Sequence, residues 1–413
     1  MSPKIQAPRG TYDVLGDDAL ARVALEGHAR RIFERAGYSR IETPAFEATE
    51  LFARGVGEST DVVQKEMYTL DEGSESLTLR PEGTAPVCRA YLEHGMHKLP
   101  QPVKLWYLSN FFRRERPQAG RFRQFWQIGA EAIGSADPAV DAELILLLSE
   151  LLEAVGARGL RLRLSSLGTP ATREAYRGEL QDYLRAHADE LSGEVRSRID
   201  LNPLRAFDAD HPGTRRVMEG APLLLDRIDA DDAEHFATVR ELLDAAGVAY
   251  EVDPTLVRGL DYYTRTVFEY TSDALGAQSG VGGGGRYDGL MEIIGGPSTP
   301  GMGFAAGVER ILLTSPPPPV APPPLDLYVA YVGPEYAREA FELAADARRA
   351  GHSARLELGG RSLKGQLKQA DRSGARYVAI LGDEGTALKD MESGEQKTVE
   401  TETVMHHIRT NAL

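Results

Sequence analysis

The sequence predicts an α+β main domain, interrupted by a mostly helical insertion and followed by a separate C-terminal α/β domain. Three observations carry that prediction. The run TSPPPPVAPPP, residues 314–324, divides the chain. Proline has a fixed φ and no amide hydrogen, so such a run holds neither helix nor central strand and forms a stiff spacer. Beyond it, strand-like and helix-like segments alternate, as in a layered α/β domain. Before it the alternation is missing, and residues 170–250 are mostly helical in pattern, with acidic runs such as DRIDADDAEH. The domains are therefore expected at 1–169 together with 251–313, with 170–250 as the insertion, 314–324 as the linker and 325–413 as the last domain.

Taken in order, residues 18–36 fit an amphipathic helix, with Leu20, Val23, Ile32 and Phe33 near one face and Gly37 as its stop. LTLRPEGTAPVCRAYLEHG reads as strand, turn and helix. VKLWYLSNFFRRE and RFRQFWQIGAEAIG read as two strands around a turn at Pro117–Gly120, an arginine-bearing hairpin. DAELILLLSELLEAVG is a helix. VFEYTS, GGGGRYDGLMEIIG and GMGFAAGVERILL then read as strand, glycine loop and strand-to-helix. In the tail, LDLYVAYV, SARLEL and RYVAILG read as strands. EYAREAFELAADARRAG and RSLKGQLKQADRSG read as helices ending on Gly351 and Gly374. There is no internal repeat.

A hydrophobic fraction of 42% and a charged fraction of 26% are those of a soluble globular chain. No apolar run approaches the ~20 residues that span a bilayer. The first residues lack an apolar core, so no secretory signal and no membrane association are expected. Cys88 is the one cysteine, which excludes an internal disulfide and a cysteine-rich zinc site and makes a cytoplasmic location the default. The net charge of −15 argues against a dedicated nucleic-acid binder. Local charge matters more than the sum. Residues 113–123 gather Arg113, Arg114, Arg116, Arg121 and Arg123 against Glu115 alone. The nine histidines show no HExxH or other metal spacing, and no GxSxG elbow is present.

Five constellations carry possible chemistry. The arginine hairpin offers rigid forks of donors matched to phosphate and carboxylate, with Phe122, Phe125 and Trp126 beside them to stack on a base; a solvated charged face is the plainer alternative. LVRGLDYYTRTVFEY crowds Arg258, Asp261, Tyr262 and Tyr263 before a strand, where an ordinary polar turn would also fit. SGVGGGGRYDGL suits a backbone that approaches a ligand closely, or a flexible loop. It matches neither a dinucleotide fingerprint nor a P-loop. GMGFAAGVERILL brings small residues into a helix carrying Arg310, a pattern equally suited to close packing. In LRPEGTAPVCRA, Glu82 and Thr84 sit where a carboxylate can hold an ammonium; helix capping by Thr84, with Pro86 in the first turn, is the alternative.

Together and in this order, these segments resemble the histidyl-tRNA synthetase family. PRGTYD, GYSRIETPAFE, LRPEGTAPVCRA, FFRRERPQAGRFRQFWQIGAE, LVRGLDYYTRTVFEY, GGGGRYDGL and GMGFAAGVERI each resemble one of its blocks. GYSRIETP, the hairpin and GMGFAAGVERI are similar to the three general class II synthetase motifs. LVRGLDYYT and GGGGRYDGL are similar to segments particular to the histidine enzymes. GGRSLKGQLKQADRSGARYVAILGDE resembles the family's anticodon-binding domain. The resemblance implies a class II catalytic domain built on an antiparallel sheet flanked by helices.

It also implies roles. Arg113 and Arg258 match arginines at the α-phosphate and are the expected catalytic pair. Glu82, Thr84 and Gln127 match positions that hold the amino group of histidine. Glu131 and Tyr263 match the imidazole-recognising pair, and Tyr262 is a further histidine-binding residue; a ring with a donor and an acceptor suits such a polar pair. Phe125 and Arg310 resemble the two faces that sandwich adenine, with Glu115 as a further ATP contact. Arg116, Gln118 and Arg121 match the loop that approaches the acceptor end of tRNA. The implied substrates are L-histidine, ATP with Mg2+ and histidine tRNA, with no prosthetic group and no dedicated protein metal site. A homodimer is implied by the likeness of GYSRIETPAFE to the first class II motif. Trp126 stands where a smaller or more polar residue is expected, and the segment LGDEGTALKD is short.

Three other readings compete. A silent paralogue similar to the regulatory subunit of ATP phosphoribosyltransferase would lack the C-terminal domain and parts of LVRGLDYYT; both are present. A tRNA-binding or sensor module would lose Arg113 and Arg310. Another class II synthetase, such as the prolyl, threonyl or glycyl enzyme, would lack the two histidine-type segments.

Overall fold

The structure, a computed structural model, describes residues 4–57, 60, 62–73, 75–118, 120–276, 279–317 and 325–410. Most of the proline run, residues 318–324, lies outside them, as does Ala119 of the expected hairpin turn. The chain divides into two compact units, residues 1–318 and 319–413.

The first unit opens with helix α1 (Gly16–Arg35), stopped by Gly37 at φ 82°. Its buried residues are Leu25, Ala29 and Phe33. Val23, expected on the inner face, is 69% exposed: burial follows the Leu25–Ala29–Phe33 spacing, and Val23 falls off that stripe. Short strands β1 (Ser39–Arg40) and β2 (Phe46–Ala48), helix α2 (Thr49–Val56) and the hairpin β3 (Tyr68–Glu72) and β4 (Glu75–Leu79) follow. Helix α3 (Thr84–Glu93) leads to the long hairpin β5 (Val103–Phe112) and β6 (Gln124–Ile133). These strands end before the arginines, so residues 113–123, read in part as strand, form a loop. It closes through a bridge between Gln118 and Arg121, with Gly120 at φ 69°. Helix α4 (Pro138–Ala154) starts on Asp137, whose carboxylate accepts the Ala139 amide at 2.8 Å, with Pro138 in the first turn.

Strand β7 (Leu160–Ser166) precedes the helical insertion, which holds α5 (Pro170–Ala186), α6 (Gly193–Arg198), α7 (Pro212–Met218) and α8 (Ala230–Ala245). The chain returns through β8 (Glu251–Val252), β9 (Thr264–Ser272), β10 (Gly280–Arg286), α9 (Leu290–Ile293), β11 (Gly301–Gly307) and α10 (Val308–Thr314). The main sheet runs β1-β5-β6-β11-β10-β9-β7-β8. Its six inner strands are antiparallel, and the two-residue edge strands β1 and β8 pair in parallel.

Two corrections concern this sheet. The glycine segment is not a loop but an inner strand. A Cβ on Gly284 would lie 2.0 Å from the Gly303 carbonyl oxygen, and one on Gly283 would lie 2.4 Å from that of Phe268. Only glycine lets its neighbours approach so closely, which overrides its poor strand propensity. The end of the insertion also belongs to the main core: Phe236, Val239 and Leu243 of α8 pack with α1, α4 and one face of the sheet. Period-2 alternation sorts β11 cleanly. Met302, Phe304 and Ala306 enter that core, so Gly301, Gly303, Ala305 and Gly307 face the other side. A floor of small residues leaves room above it for a ligand.

In the second unit, β12 (Leu325–Tyr331), α11 (Ala337–Arg349), β13 (Ala354–Leu356), α12 (Leu363–Arg372) and β14 (Ala375–Gly382) alternate as expected. β15 (Gly385–Asp390), β16 (Gln396–Val399) and α13 (Val404–Thr410) complete it. The strand order is β13-β12-β14-β15-β16, with β12, β13 and β14 parallel and the last two antiparallel. The short segment LGDEGTALKD is the β14–β15 hairpin, turned between Gly382 and Gly385.

Candidate active site

A cleft of about 640 Å³ opens on the small-residue side of the main sheet. The arginine loop, the entry to α3, the segment before β9, the start of β10 and the start of α10 all line it. Phe125 and Gln127 face it from β6, whereas Trp126 points the other way. The Trp126 ring packs on the sheet's helical side beneath Arg22, 5.7 Å from the ring centre, and its amide donates to Glu309 at 3.1 Å. Its size therefore has no bearing on the cleft.

At the α3 end lies a buried cluster of carboxylates and hydroxyls. The Glu82 carboxylate accepts the Thr84 and Ala85 amides, both at 2.9 Å, and the Tyr262 hydroxyl at 3.3 Å. Glu82 thus caps the helix, and the expected Thr84 cap is not formed. The Thr84 hydroxyl instead donates to Glu131 at 2.8 Å. Glu131 is wholly buried and also accepts from Tyr287 at 2.7 Å and Tyr107 at 3.4 Å. Burial raises the Glu82 carboxyl above its ordinary range, against the pull of the two amides. Glu131 is pushed up to about 8 by burial, against the hydroxyls of Tyr287 and Thr84 and with the Glu82 charge adding to the rise. Glycines make this cluster possible. A Cβ on Gly303 would overlap Glu131, and Cβ atoms on Gly83 and Gly129 would lie within 2.6 Å of the Tyr107 hydroxyl oxygen.

Beside this cluster, Arg113 donates through Nε to the Pro81 carbonyl at 2.9 Å and lies 5.4 Å from the Phe125 ring centre. Its burial lowers the guanidinium from the usual value, partly offset by Glu66 and Glu82. Arg258 donates to Glu269 at 2.8 Å and lies 5.9 Å from the Tyr263 ring centre. Burial pulls Arg258 down, but Glu269 and Tyr263 outweigh it and the net direction is up. The Tyr263 ring packs tilted against that of Tyr262, with ring centres 4.8 Å apart. Arg310 holds the Gly120 carbonyl at 3.1 Å and the Gly280 carbonyl, tying the arginine loop to β10. Arg121 pairs with the buried Glu115, and Arg113 lies 3.9 Å from the same carboxylate. The Gln127 side-chain oxygen is buried and has no hydrogen-bond partner among the described residues. An acceptor so placed awaits a ligand donor.

Glu82, Thr84, Arg113, Glu115, Arg121, Phe125, Gln127, Arg258, Tyr262, Tyr263 and Arg310 all line this one cleft. Glu131 sits behind Thr84 and is not part of its wall. Arg116 and Gln118 stand exposed on the loop, outside the lining. Sequence reasoning missed Tyr107 and Tyr287, which anchor Glu131, and Glu269 and Arg163, which line the cleft 3.6 Å apart. Glu269 carries a usable signal, an acid amid the apolar residues of VFEYTS. Arg163, in the alternating LRLRL of β7, carries none.

A family model described as histidyl-tRNA synthetase matches residues 10–311, and one described as an anticodon binding domain matches residues 326–411. The histidine–tRNA ligase of Desulforamulus reducens is 48% identical over 401 residues, 95% of this chain and 96% of its own. That of Streptomyces coelicolor is 49% identical over 405 residues, 95% of each chain. A crystal structure of apo histidyl-tRNA synthetase from S. aureus superposes with a TM-score of 0.80 at 35% identity, covering 98% of this chain and 100% of that one. In fold alone, the likeness extends to a Bacillus halodurans protein described as an ATP phosphoribosyltransferase regulatory subunit/histidyl-tRNA synthetase, at 22% identity and a TM-score of 0.66. Both class II-type and histidine-type segments lie within the matched span, and the chain belongs to the histidyl-tRNA synthetase family.

Proposed function

We propose that this chain ligates histidine to the 3′ end of its tRNA. The carboxylate of histidine attacks the α-phosphorus of ATP, which brings its own Mg2+. The bond to the β-phosphate breaks, and pyrophosphate leaves with that pair of electrons. The terminal ribose hydroxyl of the tRNA then attacks the adenylate carbonyl. AMP leaves, and the hydroxyl proton goes to solvent. The observation that carries this reading is the convergence of Glu82, Gln127, Arg113, Arg258 and Tyr263 on one cleft.

In this reading Glu82, Thr84 and Gln127 take the ammonium of histidine, the unpaired Gln127 oxygen being the open acceptor. Tyr263 and Glu131 read the imidazole, Glu131 from behind Thr84, whose hydroxyl it holds, with Tyr262 as a further histidine contact. A site built from such buried groups rejects side chains that leave them unpaired. Arg113 and Arg258 stabilise charge building at the α-phosphorus without reorganising. Phe125 and Arg310 hold adenine between them, with Glu115 beside it. Arg116, Gln118 and Arg121 meet the acceptor end, which suits the exposure of the first two.

Residues 1–169 with 251–313 act as the catalytic domain, 170–250 as its insertion and 325–413 as the anticodon-binding domain. The chain pairs as a homodimer. The register of β2, β4 and β3 puts Phe46, Ala48, Leu70 and Leu77 on one face, with Phe46 53% and Leu70 54% exposed, an apolar surface that pairing would cover. Sedimentation at micromolar concentration is expected to exceed the 45.1 kDa of one chain. The decisive test is amino-acid-dependent pyrophosphate exchange followed by tRNA charging. Exchange with histidine alone is expected; none with histidine, or exchange with proline, threonine or glycine, would overturn the reading. Among the described residues no helix is long and apolar enough to cross a membrane.

A further inference from the structure

The insertion does more than interrupt the main domain. Its 3-10 turn Pro203–Asp208 carries two charged side chains, Arg205 and Asp208, that line the same cleft as Arg258, Glu269 and Arg163. The turn is anchored from beneath. Ala206 is buried in one apolar cluster with Leu256, Tyr262 and Tyr263. Nearby, Arg173 of α5 donates to the Asp261 carbonyl at 3.2 Å, which ties the insertion to LVRGLDYYT a second time.

Arg205 reaches the backbone one residue beyond Arg258. One of its terminal nitrogens is 3.9 Å from where a Cβ on Gly259 would stand. Arg205 pairs with Asp208 at 3.3 Å, and Arg258 pairs at 2.8 Å with Glu269, which Arg163 also approaches at 3.6 Å. The first pair lies within one half-exposed turn and the second joins a loop to a strand, and the Glu269 charge acts on Asp208. The cleft walls raise the Asp208 carboxyl, Arg205 pulls it down, and Glu269 pushes it up again. A polyphosphate entering beside the pairs would offer both guanidinium forks a more highly charged partner than a single carboxylate.

We propose that Arg205 of the helical insertion binds the phosphate tail of ATP during amino-acid activation, before any tRNA is bound. This rests on the reading of the cleft as a histidine-activating site. The insertion would then take part in the first chemical step as well as in any contact with tRNA.

The test is binding of Mg-ATP and of adenosine to full-length wild type and Arg205→Gln. Arg205→Gln should weaken ATP by about tenfold or more, the size of a charge-assisted hydrogen bond, and leave adenosine unchanged. In tRNA-free exchange, KM for ATP should rise by the same factor while KM for histidine stays within about twofold. Arg205→Lys keeps the charge and loses the fork, so it should lose an intermediate amount; it serves the same test if Arg205→Gln does not fold. Unchanged ATP affinity, equal weakening of ATP and adenosine, or a loss confined to KM for tRNA would each overturn the proposal. Wild-type protein that binds ATP yet exchanges with no amino acid would overturn the histidine reading and leave the Arg205 comparison standing.

Discussion

Glu131 shows what burial does to a single carboxyl. It has no exposure and three hydroxyl donors, and it still holds its proton up to about pH 8. The unfolded chain releases that proton near 4.5. The folded state therefore binds more protons between the two values, and stability falls as pH rises from about 4.5 to about 8. Glu131→Gln, which cannot titrate, is expected to remove that part of the slope in thermal unfolding followed across the window. An unchanged slope would mean that Glu131 is ionised throughout. Arg258 is a residue-scale case of a different kind. Its alanine variant should bind histidine nearly as well as wild type, yet form adenylate about 10²–10³-fold more slowly in a single turnover. Rates close to wild type would remove Arg258 from the reaction. Glu131 was legible only through family likeness, whereas Arg258 already stood out in a crowded polar stretch before a strand. In the bare sequence Glu131 is one acid near the end of a strand, and nothing local says that Thr84, Tyr107 and Tyr287 converge on it.

At the scale of the element, the glycine strand β10 is the least legible feature and the most constrained. Four successive glycines argue for a loop by propensity. The neighbours decide otherwise, since β9 and β11 approach too closely for any side chain. Gly284→Ala should cost about 3 kcal/mol or more in denaturant unfolding, because its Cβ would meet the Gly303 carbonyl. Gly178 supplies the control. It is exposed inside α5, and a Cβ there meets nothing within 4 Å. Gly178→Ala should stabilise by up to about 1 kcal/mol. Similar losses at both positions would mean that β10 is not packed as described. Elements whose signal is local were readable from the sequence. The first three strands and two helices of the second unit follow their alternation, and α4 covers most of the expected run from Asp141, starting three residues earlier at Pro138. The arginine loop was harder, because where β5 and β6 stop pairing is set by the cleft and by ties such as the Arg123 amide to the Gly10 carbonyl at 2.8 Å.

Over the whole molecule, the two units keep separate apolar cores. Leu327, Leu343, Tyr377 and Val404 belong to one cluster of the second unit, and no described residue of 1–318 joins it. The proline run predicts such a division, whereas the sharing of α8 with the main core was not legible. Helical periodicity shows that a segment has an inner face but not which body that face meets. Every residue lining the cleft lies within 1–318. Amino-acid activation should then need only the first unit, and the second should add affinity for tRNA as a linked module. A chain of residues 1–318 is expected to keep histidine-dependent pyrophosphate exchange within about threefold of the full chain. Its KM for tRNA should rise by about tenfold or more, the loss expected when one of two tethered contacts is removed. Exchange and charging measured on the same preparation, with folding checked by circular dichroism, separate the outcomes. Folded protein that has lost exchange would mean that the second unit supports the first chemical step. Unchanged charging would mean that the second unit contributes nothing to tRNA binding, and that affinity for tRNA resides within residues 1–318.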